Sequence, residues 1–246
     1  MTTFRLQERA VRAILLDIEG TTTPIAFVFE VLFPFVRTHL REHLQHAPDA
    51  GHTPAALAHL RDEWHVDAAH AAEKPPDWRG DEPMAAVPYV EWLMDRDRKS
   101  IGLKLLQGEV WRKGYREGAL KGDVFPDVAP AFARWRSAGI VIAIYSSGSE
   151  LAQRLLFGAT ADGDLTPFLS GFFDTAVGAK TSPDSYRRIA ADLHLDAAHV
   201  LFVSDVAGEL AAAKSAGCQT LLAVRPGNQI VTHADAETIR SLDEIV

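Results

Sequence analysis

Ile14-Leu15-Leu16-Asp17-Ile18-Glu19-Gly20-Thr21-Thr22 is a short apolar run that ends abruptly in two carboxylates one residue apart, followed by glycine and hydroxyls. Such a run reads as a buried strand that delivers acids to the edge of a sheet. Desolvated carboxylates persist only with a cation, hydrogen bonds or a proton, and a divalent metal is the simplest answer. In an extended chain Asp17 and Glu19 point to the same side, and Gly20 allows a tight turn around whatever sits there. One acid can then attack while the other shuttles a proton. The plain alternative, a strand that ends in a solvated acidic turn, weighs evenly while this segment stands alone.

Later segments shift that balance. Through the last half of the chain, short apolar runs alternate with helical patterns, which predicts βα units and a parallel sheet. Val141 to Tyr145 reads as a strand, and Ser149 then caps a helix through Leu151, Leu155 and Leu156 that Gly158 can end. Phe172 and Phe173 predict a short strand, Ser182-Pro183 opens a helix containing Tyr186 and Ile189, and Val200 to Val203 forms the next strand. Ala207 to Ala216 follows as a helix stopped by Gly217, and Thr220 to Val224 completes the set.

Between the first strand and Val141 the texture changes to helix formers with spaced aromatics, among them Phe29, Phe33, Phe35, Trp92 and Trp111. This is too long for a simple crossover. The expected organisation is an α/β core of residues 1–24 and 123–246, with residues 25–122 inserted as a helical cap subdomain over the sheet edge. Lys74 to Pro83 reads as a Pro-rich, mobile loop, and the alanine-rich stretch Ala55 to Ala72 as a surface helix.

In an open parallel sheet, ligands sit at the carboxyl ends of the strands, so the polar residues after each apolar run should converge. Four groups qualify: Asp17 with Glu19, Ser146 with Ser147, Lys180, and Asp205 with Glu209. Ser146-Ser147-Gly148 lies between a strand and a helix start, where amides and hydroxyls can hold a phosphate, although a plain N-cap is the commoner use of such a serine. Lys180 beside a phosphate would offset repulsion between an anionic substrate and an anionic nucleophile. Asp205 follows its strand as Asp17 follows its own, so the two could share one Mg²⁺. Glu209 either holds a metal-bound water or is a helix N-terminal acid favoured by the dipole.

This set, in this order, resembles the haloacid dehalogenase-like phosphohydrolase superfamily, with its aspartate pair, Ser/Thr, lysine and metal-binding acid. Residues 16–25, Tyr145-Ser146-Ser147-Gly148-Ser149, Gln153 through Gly158, and Val224-Arg225-Pro226-Gly227-Asn228 are similar to the enolase-phosphatases (acireductone synthases) of methionine salvage, as are Asp97-Arg98-Lys99 to Leu106-Gln107-Gly108 and Trp111. The likeness spans roughly residues 13 to 230, both core and cap. It implies a Rossmann-like α/β core with an inserted cap, and a Mg²⁺-dependent enzyme, one ion per chain. That enzyme would enolise 2,3-diketo-5-methylthiopentyl-1-phosphate and then dephosphorylate it to an acireductone. By position, the resemblance makes Asp17 the phosphoryl acceptor and Glu19 the acid/base and a main-chain carbonyl metal ligand. Ser146 and Ser147 bind substrate, Lys180 holds phosphate, and Asp205 binds Mg²⁺ together with Asp17. The wider superfamily usually has aspartate where Glu19 stands. The alternative is another capped phosphatase of this fold acting on a different small phosphomonoester.

Composition narrows the partners. With 25 basic and 33 acidic side chains the net charge is -8, and no basic block tracks a nucleic-acid backbone. No apolar stretch is long enough to span a bilayer, and Met1 to Arg12 lacks the continuous apolar region of a secretion signal, so a cytoplasmic protein is expected. The resemblance implies a small phosphorylated substrate, and a monomer is the expectation. The lone Cys218 excludes an internal disulfide and reads as packing. His39 and His43 have the spacing of a helical metal pair but lack a third ligand, and read as surface or packing residues. The base for enolisation is not revealed. Lys99 and Lys104 are candidates, although Asp95-Arg96-Asp97-Arg98-Lys99 is read more economically as a solvated charged turn.

Overall fold

The computed structural model describes residues 4–46, 49, 51–228 and 237–246, so residues 229 and 230 at the end of the stretch compared above lie outside the described residues. In chain order the elements are β1 (Ala13–Leu16), α1 (Phe33–His46), α2 (Thr53–His70), α3 (Val87–Asp95), α4 (Ile101–Arg116), α5 (Val128–Ser137), β2 (Val141–Tyr145) and α6 (Glu150–Gly158). They continue as β3 (Gly171–Phe173), α7 (Pro183–Asp192), β4 (Val200–Ser204), α8 (Ala207–Ser215), β5 (Gln219–Ala223) and β6 (Thr238–Ile239). The chain divides into two compact units, residues 1–28 with 121–246, and residues 29–120.

In the first unit the sheet runs β3-β2-β1-β4-β5-β6 with every pairing parallel. Central parallel strands are covered on both faces, and their sequences show it: every residue of β1 and β4 is buried, so both strands read as unbroken apolar runs rather than as an alternation. Ala13, Leu15, Ala143, Tyr145 and Phe202 pack with Tyr186 and Ile189 of α7 and with Leu210 and Ala213 of α8. The edge of the Tyr186 ring meets Phe202 at 5.0 Å and Tyr145 at 5.5 Å. Cys218 belongs to this cluster, and burial pushes its thiol up to about 11, which leaves it inert. Because β1 is central, with β2 on one side and β4 on the other, the order reverses beside it. That switch point is where an open α/β sheet makes its ligand crevice.

Helix ends follow the sequence closely. Ser149 accepts from the Ala152 amide at 3.3 Å to cap α6, whereas Ser182 precedes the proline of α7 without a side-chain cap bond. The expected strands are all present. Each lies within a residue or two of its sequence reading, and the two-residue β6 was not anticipated.

The helical unit packs α2 against α4. The alanine-rich helix lies mostly at the surface, as its sequence reading expects, but Ala56 and Leu60 on one stripe are fully buried. They lie where Gly102 of α4 comes so close that an added Cβ would collide with Leu60 and with the Ala56 carbonyl. An alanine-rich helix hides a narrow contact stripe that its composition does not advertise. Nor is the Pro-rich loop loose: Trp64 Nε1 donates to Pro76 O at 2.9 Å, Arg61 donates to Gly80 O, and Trp78 stacks among Trp64, Tyr89 and the Arg61 guanidinium. The charged turn is partly ion-paired rather than wholly solvated. Arg98 reaches Asp67 at 2.8 Å, Asp95 pairs with Arg37, Arg96 pairs with Glu73, and Lys99 stays exposed. His43 is buried against Thr53 Oγ1 at 2.8 Å and His39 stacks on Phe35, so both act in packing.

Phe202 sits fully buried between α7 and the central strands, so Phe202→Ala should cost about 3–5 kcal/mol and lower the thermal midpoint of the intact protein by roughly 10 °C. A midpoint within a degree or two of the parent would contradict this packing account.

Candidate active site

The pairing of β1 with β4 continues one step past the strand, since the Asp17 amide donates to Val203 O at 3.0 Å. The chain then folds back on itself, with the amides of Thr21, Thr22 and Thr23 all directed at Ile18 O within 2.9–3.1 Å. Thr22 Oγ1 donates to Asp17 O at 3.0 Å. Gly20 takes φ +69°, and a Cβ there would collide with Asp205 Oδ2 and Asn228 Oδ1, so only glycine allows the backbone this close. From the loop after β5, Asn228 Nδ2 donates to Gly20 O at 2.9 Å and Arg225 Nε to Thr21 O at 3.0 Å. Arg225 is held in turn by Asp127 at 2.7 Å.

Around Asp17 the side chains form a closed set. Lys180 Nζ lies 2.6 Å from Asp17 Oδ1 and 2.7 Å from Glu209 Oε2. The Ile18 amide adds a second donor to Oδ1 at 2.8 Å. Ser204 Oγ, the last side chain of β4, lies 3.0 Å from Asp17 Oδ2 and 3.0 Å from Glu209 Oε2, and accepts from the Val206 amide at 3.1 Å. The Lys180 backbone is pinned by Tyr186, whose hydroxyl donates to Lys180 O at 2.6 Å. The neighbouring Ala179 carbonyl is held by Ser185 Oγ at 2.8 Å.

On the other side of β1, Ser146 Oγ donates to Glu19 Oε2 at 3.4 Å, a long bond, and accepts from the Gly148 amide at 3.1 Å. Gln153, fully buried, donates to Gly148 O and Phe173 O and ties this loop to β3. Its position on α6 fell within the compared sequence, but nothing in spacing alone marked it as a clamp. Ser147 is exposed and makes no described bond to the carboxylate cluster. Thus Asp17, Lys180, Glu209 and Ser204 touch, Glu19 and Ser146 touch, and Asp205 stands at Gly20. Glu209 is the partner of Lys180 as well as a first-turn acid of α8, and sequence reading missed Ser204 altogether.

Charge explains the protonation. Burial alone would lower the pKa of Lys180, but the attraction of Asp17 and then Glu209, with their hydrogen bonds, outweighs it and holds the ammonium charged. Burial and then the Asp17 charge push Glu209 up to about 7 and Asp205 up to about 6, and raise Glu19 as well. Among the described residues no three His, Cys, Asp or Glu side chains form a metal-holding group. Asp205 Oδ2 instead lies against the main-chain turn at Gly20. Asn228 Oδ1, whose amide nitrogen is committed to two carbonyls, is a buried acceptor with no donor facing the same Gly20 backbone as Asp205.

A carboxyl whose pKa is raised on folding binds its proton more tightly in the native state, so its contribution to stability is complete below the unfolded value and is lost as pH rises through the folded one. The metal-free protein should therefore lose stability between pH 5 and 8, with Glu209 contributing on the order of 2 kcal/mol. Calorimetry in chelator should show the thermal midpoint falling across that window and the slope flattening in Glu209→Gln. A midpoint that rises instead would contradict this charge balance.

The haloacid dehalogenase-like hydrolase family model matches residues 11–217. The chain is 52% identical over 236 residues to the enolase-phosphatase E1 of Synechococcus elongatus, covering 96% of this chain and 98% of that one. It is 47% identical over 219 residues to the enolase-phosphatase E1 of a second Synechococcus strain, covering 89% and 87%. Among solved structures, the UTR4 protein of Saccharomyces cerevisiae superposes with a TM-score of 0.76 at 33% identity, over 94% of this chain and 98% of that one. With the parallel sheet, the switch point beside β1 and this run of identity in hand, the chain belongs to the haloacid dehalogenase-like hydrolases and, within them, to the enolase-phosphatase E1 family.

Proposed function

We propose that this protein is an enolase-phosphatase that converts 2,3-diketo-5-methylthiopentyl-1-phosphate to an acireductone, enolising the diketone and then releasing inorganic phosphate. The observation that carries the reading is Asp17 at the end of the central strand, its carboxylate held by Lys180, in a chain 52% identical to an enolase-phosphatase. Phosphoryl transfer asks for in-line positioning and charge neutralisation more than for elaborate covalent chemistry, and a buried carboxylate beside a buried ammonium supplies both.

In this reading a carboxylate oxygen of Asp17 forms a bond to phosphorus as the bond to the leaving enol oxygen breaks, and Glu19 gives that oxygen its proton. Water then attacks phosphorus and loses a proton to Glu19. The bond to Asp17 breaks, returning the carboxylate and releasing phosphate. The raised pKa of Glu19 suits a group that must begin as an acid. Lys180 stays charged against the phosphate oxygens, and Ser146 and Ser147, in the turn before α6, bind substrate.

The donor set fits Mg²⁺, which prefers hard oxygen ligands and keeps several waters. Asp17, Asp205 and the Glu19 carbonyl would hold it, and the Asn228 acceptor beside Asp205 is what a coordinated water would satisfy. When bound, the ion neutralises the charge that gathers on the phosphate. We take one ion per chain and a monomeric, cytoplasmic enzyme. Among the described residues no helix is long and apolar enough to cross a membrane.

Incubation of the purified protein with the diketone phosphate and Mg²⁺ should yield enol absorbance before phosphate. Phosphate release from other phosphomonoesters without enol formation from this one would reject the assignment. Asp17→Asn should reduce phosphate release by roughly 10³-fold or more in a variant that is still folded by circular dichroism, and release at parental rates would remove Asp17 as acceptor. Chelation should abolish turnover, and added Mg²⁺ should restore it.

A further inference from the structure

Ser204 has one hydroxyl proton and faces two carboxylate oxygens at equal distance, Asp17 Oδ2 and Glu209 Oε2, each 3.0 Å away. It is fully buried. The Val206 amide already donates to its oxygen, which orients the hydroxyl toward the pair. Lys180 bridges the same two carboxylates, contacting Asp17 through the other oxygen, Oδ1. With the Ile18 amide also on Oδ1, three donors fix the rotation of the Asp17 carboxylate, and Ser204 is the only one among the described residues that holds Oδ2.

We propose that Ser204 is a positioning residue whose hydroxyl bond moves from Asp17 to Glu209 when Asp17 takes up the phosphoryl group. The inference rests on the reading of Asp17 as phosphoryl acceptor. A free carboxylate accepts a charge-assisted bond, whereas an acyl phosphate carries no charge on its carboxyl group and is the weaker acceptor. Once Asp17 is esterified, the better acceptor within reach is Glu209, and a rotation about the Ser204 side-chain torsion suffices to turn the hydroxyl. No covalent bond of Ser204 is made or broken. In the free enzyme the hydroxyl holds the nucleophile in attacking orientation. In the phosphorylated enzyme it satisfies Glu209, which keeps Lys180 in place until water restores Asp17. Removing the hydroxyl leaves two carboxylate oxygens facing each other across an empty position, with Lys180 as their only shared donor.

Ser204→Ala and Ser204→Thr, assayed with saturating Mg²⁺ on the diketone phosphate, test this. Ser204→Ala should lose about 10–100-fold in kcat, the worth of one hydrogen bond to a charged group, with KM and the Mg²⁺ dissociation constant within about two-fold of the parent. Ser204→Thr should recover most of that loss. If the alanine variant does not fold, Ser204→Gly removes the same hydroxyl and takes its place. The proposal is overturned by parental kcat in the variant lacking the hydroxyl, by a loss confined to KM, or by a threonine variant that folds yet is as slow as alanine. Asp17→Asn run alongside separates the two readings. Retained phosphate release there sinks the acceptor assignment itself, whereas a dead Asp17→Asn beside a fully active Ser204→Ala sinks only the role of the hydroxyl.

Discussion

A lysine ammonium buried between two carboxylates is the constraint around which this α/β unit is organised. Lys180, Asp17 and Glu209 come from three separate segments, and none of the three could be buried alone without a large desolvation penalty. Together they satisfy one another, with Ser204 as a fourth member and main-chain amides completing the set. The tight Asp17 loop and the pinned carbonyl of Lys180 serve the same end, since each holds the backbone that carries a charged group. Burial, and then the charge of Asp17, raises the neighbouring carboxyls Asp205 and Glu209 toward neutrality.

Much of this was legible in the chain because parallel strands announce themselves. β1 and β4 are buried on both faces, so they read as unbroken apolar runs with an acid immediately after each. The switch-point rule then places those acids near one another without any knowledge of contacts. Lys180 was the harder inference, since it lies seven residues past the end of β3, and only the tertiary path of that loop brings it to Asp17. Ser204 was invisible for a different reason. A serine at the end of an apolar strand is unremarkable in sequence, and its importance comes entirely from what stands opposite it. Glu209 shows the same limit: its place in the first turn of α8 satisfied a local rule, and local rules do not reveal a second partner across the fold.

The helical unit was less readable. Its helices were recognisable by composition, but the close approach of α4 to α2 depends on Gly102, and a single glycine in a helix carries no signal of a neighbour. The alanine-rich α2 reads correctly as a surface helix, but its small side chains do not announce the tight contact stripe at Ala56 and Leu60. The Pro-rich segment looked loose because proline and charge dominate it, whereas Trp78 and its partners give it an anchor that only the folded chain shows.

The Asp17 amide is paired with Val203 O, a residue nearly two hundred positions downstream. As the polypeptide emerges from the ribosome, β1 is made well before its partner. The strand that bears the acids must wait, unpaired on that side, while more than a hundred residues are synthesised. During that interval the helical unit, residues 29–120, can fold on contacts nearer in sequence. The Asp17 carboxylate is therefore fixed in place only after the lysine that restrains it has also left the ribosome.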